Sequence, residues 1–122
     1  MKIWKIEELN ELGYVDLEQM LDGFAKDEKF FAEEAAECPA KDFRYELQLA
    51  AEVSRANYVI TSRVYTAKLA AEKAEISEQI CTLRAQIEVE MNEDAVIYMT
   101  DVINELCEYL AQLETKVVPT AA

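Results

Sequence analysis

The reactive side chains of this sequence are mostly carboxylates. Twenty-five Asp and Glu stand against twelve Lys and Arg and no His, so the net charge is −13. Without His, the chain lacks the usual general base near neutral pH and the group that activates a Ser or Cys nucleophile. Adjacent carboxylates such as Glu33 and Glu34, or Glu93 and Asp94, point to different sides of a helix and make no acid–base pair in one pocket. We therefore expect a protein that is not an enzyme.

Motifs that bind a cofactor or a metal are missing from the sequence. Two glycines, Gly13 and Gly23, are too few for a dinucleotide fingerprint or a phosphate-binding loop. Di-iron bundles use Glu-x-x-His pairs, and a calcium loop needs alternating oxygen ligands around a glycine, which residues 22–27 lack. We expect neither a cofactor nor a metal site.

The sequence carries no signal for export or for a membrane. Its apolar runs are shorter than the roughly 18 residues of a membrane span, and the acidic start lacks the apolar stretch of a signal peptide. Three widely spaced cysteines without a CxxC pair are typical of reduced thiols: Cys38, Cys81 and Cys107. We expect a cytoplasmic protein, in the host cytoplasm if a phage encodes it, with no membrane partner.

Acidic residues crowd the first 38 positions, which hold eleven Asp and Glu and four Lys. Carboxylates three or four positions apart on a helix lie about 5–6 Å from each other, a spacing similar to that of phosphates along a nucleic-acid strand. Such a face could occupy the basic cleft of a nucleic-acid-handling protein, or it could only confer solubility. The candidate docking residues are Glu7, Glu8, Glu11, Asp27, Glu28, Glu33, Glu34 and Glu37.

One very long helix is predicted over about residues 42–91. Residues 40–118 contain neither Gly nor Pro, and apolar side chains between Leu47 and Ile87 recur on average every 3.64 residues or so, the period of a straight helix. A second apolar stripe, from Leu49 to Ala74, lies on the opposite side, which makes residues 47–71 the central element. The β-branched and aromatic stretch Tyr58–Thr66 leaves a strand as the alternative there.

Shorter helices are predicted on both sides of the long one. A first helix over about Ile3–Leu12 would end at Gly13 in a left-handed cap, and Asp16 would cap the next helix. Gly23 either breaks that second helix or is tolerated within it, and Pro39 ends the region. A final helix over about residues 94–117 follows a short turn, so it would pair antiparallel with residues 69–91.

These elements predict an all-α, elongated helical bundle in a single domain, 1–122. It consists of two or three short acidic helices within residues 1–38 and a long, coiled-coil-like helical hairpin over residues 41–118. The segment Val53–Ala71 has no acid, which indicates burial more than nucleic-acid binding. The residues expected to contact a partner or a second copy of the chain are Leu47, Tyr58, Tyr65, Arg55 and Arg63.

Two functions remain open from the sequence. The first is a non-enzymatic protein-binding module, an inhibitor or antagonist of the kind that phages and mobile elements encode, docking on a basic protein partner. The second is a structural or assembly subunit, such as a virion component or scaffold, that forms a homo-oligomer. Direct nucleic-acid binding is not expected at a net charge of −13.

Overall fold

A computed structural model of the chain, which describes residues 2–119, is all-α. Four helices follow one another in the described chain: α1 (Ile6–Asn10), α2 (Tyr14–Glu37), α3 (Lys41–Val89) and α4 (Glu93–Glu114). The helical bundle built on one long helix is therefore confirmed, with α3 running over 49 residues. The alternative of a strand over Tyr58–Thr66 is wrong, because this stretch lies inside α3.

The chain folds into two compact units. The N-terminal unit comprises the described residues 2–67 with 118–119, and the hairpin unit comprises residues 68–117. Helix α3 contributes its first part to the N-terminal unit and its last part to the hairpin unit. Each unit therefore covers a different part of α3.

The N-terminal helices differ from the sequence prediction. Two helices form this region, as expected, but α1 has only five residues and α2 is one uninterrupted helix of 24, longer than predicted. Gly13 has φ −79° and ψ 172° and is the N-cap of α2, not a left-handed cap of α1. Asp16 is not the cap but lies in the first turn of α2, where a carboxylate interacts favourably with the helix dipole. Gly23 is tolerated within α2, which has buried residues both before it, at Leu17 and Leu21, and after it, at Ala35.

One side of the first part of α3 is covered by this chain's own N-terminal elements, whereas Leu49 and Val59 of α3 remain exposed. Leu9, Leu17 and Leu21 are fully buried within the same unit as Val64 and Tyr65 of α3. The Asn57 side chain holds the extended N-terminal segment, because its Oδ1 accepts from the Trp4 backbone N–H at 2.9 Å. Its Nδ2 in turn donates to the Lys2 carbonyl at 2.8 Å.

Tyr65 links α3 to α2 from within the core of the N-terminal unit. Its side chain is fully buried, and its hydroxyl donates to Oε1 of Glu18 at 2.7 Å. Its ring meets that of Tyr14 edge-on, with 5.5 Å between the ring centroids. Burial, and then the hydrogen bond to Glu18, raises the pKa of Tyr65 to about 12.

The hairpin unit consists of the last part of α3 and α4, which pair antiparallel as predicted. Asn92 caps α4, since its Oδ1 accepts from the backbone N–H groups of Asp94 and Ala95 at 2.9 and 3.3 Å. The Tyr109 hydroxyl donates to Glu72, and this hydrogen bond raises the pKa of Tyr109. The apolar residues buried between the two helices are Leu69, Ile76, Ile80, Ile103 and Leu113.

Replacing Gly23 by Ala is expected to stabilise the chain. Gly23 lies inside α2, and a Cβ built there meets no atom within 4 Å. Since Ala favours a helix interior over Gly, Gly23→Ala should raise the free energy of unfolding by about 0.5–1 kcal/mol in urea denaturation. Gly13→Ala is the control, because Ala is disfavoured at an N-cap. Equal stability changes in the two variants would contradict this placement of the glycines.

Replacing Tyr65 by Phe should destabilise the chain and change its pH dependence. The loss of a hydrogen bond to a carboxylate should lower the free energy of unfolding at pH 7 by roughly 1.5–3 kcal/mol. The folded pKa of about 12 exceeds the unfolded value of 10, so this hydroxyl stabilises the fold fully below pH 10. That contribution should disappear between about pH 10 and 12.

Urea denaturation of the wild type and of Tyr65→Phe at several pH values measures this effect. The stability difference between the two chains should shrink as the pH rises above 10. Tyr98→Phe is the matched control, because Tyr98 is 70% exposed. A difference that stays constant up to pH 12 would contradict the buried hydroxyl contact.

Candidate protein-docking surface

The outward side of α2 carries most of its acidic residues. Leu17, Leu21 and Ala35 are buried and mark the side of α2 that faces the core. Since each residue of an α-helix turns by about 100°, Glu33 and Glu37 fall on the opposite side. Four carboxylates on this outer side are exposed: Asp27, Glu33, Glu34 and Glu37.

An exposed aromatic ring lies at the centre of these carboxylates. Phe30 is 56% exposed and lies three residues after Asp27. Glu33, Glu34 and Glu37 follow Phe30 by three, four and seven residues. Its ring packs edge-on against that of the half-buried Phe31, with 5.4 Å between the centroids. We call this set the Phe30 surface: Asp27, Phe30, Glu33, Glu34 and Glu37.

The negative charge of the Phe30 surface is not neutralised by an ion pair within the described chain. The nearby Lys26 pairs with Asp22 instead, at 2.7 Å, and this hydrogen bond raises the pKa of Lys26. The last turn of α2 contains no basic residue, although the carbonyl end of a helix disfavours carboxylates such as Glu34 and Glu37. A cation brought by a partner would relieve this repulsion.

The eight acidic residues predicted from the sequence do not form one face. Glu8 receives a hydrogen bond from the Lys2 ammonium at 2.7 Å, which lowers the pKa of Glu8, and its other oxygen accepts from the Lys5 backbone. Glu28 is half-buried on the core side of α2. Glu7 and Glu11 are exposed on α1 and at its C-cap, whereas the remaining four surround Phe30.

Phe30 was not among the predicted docking residues. The signal was present, because Phe30 falls outside the apolar stripe of α2 that contains Phe24, Phe31 and Ala35. An aromatic residue outside the apolar stripe of an amphipathic helix faces solvent unless another element covers it. The apolar stripe and the carboxylates are separate signals in the sequence, and the structure shows that the carboxylates surround Phe30.

The tyrosines predicted as partner contacts are engaged inside the chain. Tyr65 is fully buried in the core of the N-terminal unit, so its assignment to an exposed interface is wrong. Tyr58 is half-buried and its hydroxyl donates to the Pro119 carbonyl. Leu47 is also half-buried, while Arg55 and Arg63 are exposed on α3.

Within residues 2–119, no group of three or more Cys, Asp and Glu side chains is arranged to hold a metal ion. None of the helices described there contains an apolar stretch long enough to span a membrane.

Phe30 and its neighbour Phe31 should respond differently to truncation. Phe30→Ala should lower the free energy of unfolding by less than about 1 kcal/mol, because the ring is mostly in solvent. Phe31→Ala removes a half-buried ring and should cost roughly 1–3 kcal/mol. Urea denaturation of the two variants measures both values, and a larger loss for Phe30→Ala would mean that α2 is rotated relative to this description.

Comparison of the chain with protein-family models, with curated proteins and with solved structures gives no match. Function is therefore inferred from the chain's own surfaces. The Phe30 surface combines an exposed aromatic ring with four exposed carboxylates, which is a combination suited to binding another protein.

Proposed function

We propose that this chain is a non-enzymatic protein-binding module that acts as an inhibitor or antagonist of a partner with a basic surface. The observation that carries the proposal is the exposed Phe30 ring among four carboxylates that have no cation partner in the described chain. The partner would present an apolar pocket for the ring and Lys or Arg side chains around it.

The aromatic ring and the carboxylates would contribute differently to binding. Burial of Phe30 removes apolar surface from water, which favours slow dissociation once the complex has formed. The carboxylates attract a basic partner over a distance, which raises the association rate and disfavours acidic partners. Together they provide affinity at the centre and selectivity at the rim.

The spacing of the carboxylates favours a partner whose basic surface normally holds nucleic acid. Acidic residues four positions apart on α2, such as Glu33 and Glu37, have Cβ atoms about 5–6 Å apart, similar to the distance between successive phosphates of one strand. A rigid helix with this spacing can occupy a phosphate-binding cleft without offering a backbone to cleave or copy. The chain would then inhibit by occupying the cleft.

The proposal is tested by capturing the partner from cells of the native host and measuring its affinity for purified variants. Phe30→Ala and the double variant Glu33→Lys/Glu34→Lys should each weaken binding by about tenfold or more. The matched control is Glu88→Lys/Glu114→Lys, which changes the charge equally at two exposed positions of the hairpin unit. A partner bound equally well by all four chains would refute the Phe30 surface as the docking site.

The electrostatic and cleft-blocking parts of the proposal have their own measurements. Affinity for the captured partner should fall steeply between about 50 and 200 mM salt, and a single-stranded oligonucleotide should displace the chain. Association that is insensitive to salt would rule out acidic docking. Light scattering distinguishes the assembly alternative, because a homo-oligomer that Phe30→Glu dissociates would favour a self-associating subunit.

A further inference from the structure

A groove lies along one side of the hairpin unit, and its floor is apolar. The groove has a volume of about 480 Å³, and Leu83 of α3 faces Val102 and Leu106 of α4 across it. All three side chains are only half-buried. Two helices alone leave such stripes incompletely covered, and a third helix is the usual cover in a helical bundle.

Exposed tyrosines extend the apolar side of α4 beyond the groove. Tyr98 lies four residues before Val102 and Tyr109 lies three residues after Leu106, so all four share one side of α4. Tyr98 is 70% exposed and Tyr109 is 40% exposed. This side runs for about 16 Å, the length of three helical turns.

The charged residues that line the groove are both acidic. Glu75 and Glu78 of α3 line it, no lining residue is basic, and α4 carries six acidic residues and no basic one. The groove on the other side of the hairpin differs, since Arg84 lines it together with Cys81 and Cys107. The charge complement of the acidic groove is therefore a positively charged ligand.

We propose that the acidic groove binds an amphipathic helix of another protein, with about three turns, an apolar face and Lys or Arg along its edges. Its apolar side chains would pack on Leu83, Val102 and Leu106, and its cations would meet Glu75 and Glu78. This site lies in the hairpin unit and does not depend on the Phe30 surface. The chain would then hold two different basic ligands.

Helices α2 and α4 of a second copy fit this groove poorly. Helix α4 has no basic residue, and α2 has two lysines against eight acidic residues. Either helix would place carboxylates against Glu75 and Glu78, and like charges in a contact of this kind disfavour association. A membrane rich in anionic lipids is disfavoured for the same reason.

The test uses a synthetic helical peptide of about 14 residues, with leucines on one face and lysines along both edges, and a second peptide with glutamates in place of the lysines. The full chain carries Phe30→Ala/Glu33→Lys/Glu34→Lys, which removes the Phe30 surface. Methyl NMR spectra should show the lysine peptide shifting the signals of Leu83, Val102 and Leu106. The glutamate peptide should shift none of them.

Matched variants show which groove of the hairpin unit binds the lysine peptide. Thr82→Trp fills the acidic groove and should lower the affinity for the lysine peptide by about tenfold. Ser77→Trp fills the opposite groove and should change this affinity less than twofold. Glu75→Lys/Glu78→Lys should lower the affinity for the lysine peptide to a similar extent. The charge-matched Glu88→Lys/Glu114→Lys should leave this affinity unchanged. Circular dichroism of each variant confirms that the helices are retained.

Several outcomes would overturn the proposal. They are no binding of the lysine peptide, shifts confined to α2, equal effects of Thr82→Trp and Ser77→Trp, or a dimer of the free chain that Thr82→Trp dissociates. None of these outcomes bears on the Phe30 surface, because that surface is already removed in the chain that is tested. The two proposals therefore fail or stand separately.

Discussion

The apolar sides of helix α3 must be covered, and the other elements are arranged to cover them. In the N-terminal unit, α1, α2 and the extended segment bonded to Asn57 bury Tyr65 completely. In the hairpin unit, α4 alone packs on α3, and a groove of about 480 Å³ remains along the pair. Both units leave apolar side chains exposed, among them Leu49 of α3 in the N-terminal unit and Tyr98 of α4 in the hairpin unit.

Charge determines what that remaining surface can bind. Carboxylates are costly to bury, so the acidic excess of this chain collects on the outer sides of α2 and α4. Apolar groups that stay exposed there are therefore bordered by carboxylates, as Phe30 is by Glu33 and Glu34. Both proposals, for the Phe30 surface and for the acidic groove, rest on the same rule: an apolar centre would provide affinity, and an acidic border would select basic ligands.

Helix α3 and helix α4 were predictable because their signals are local. A long stretch without Gly or Pro and a regular apolar stripe predicted both helices to within three residues at each end. The turn chemistry at Asn92 was equally local, because a side-chain cap needs only the next three residues. Gly13 and Gly23 were harder, since a glycine is compatible with a cap, a break or a helix interior.

Residue types and their periodicity were sufficient for the helical class, the acidic surface and the apolar sides of α3, because these properties depend on neighbours within a few positions. The burial of Tyr65 and the exposure of Phe30 depend instead on contacts with residues far away in the sequence. The buried hydroxyl of Tyr65 is satisfied by the hydrogen bond that it donates to Glu18, 47 positions earlier in the sequence. Periodicity shows that a side is apolar, but only the packed helices show whether something covers it.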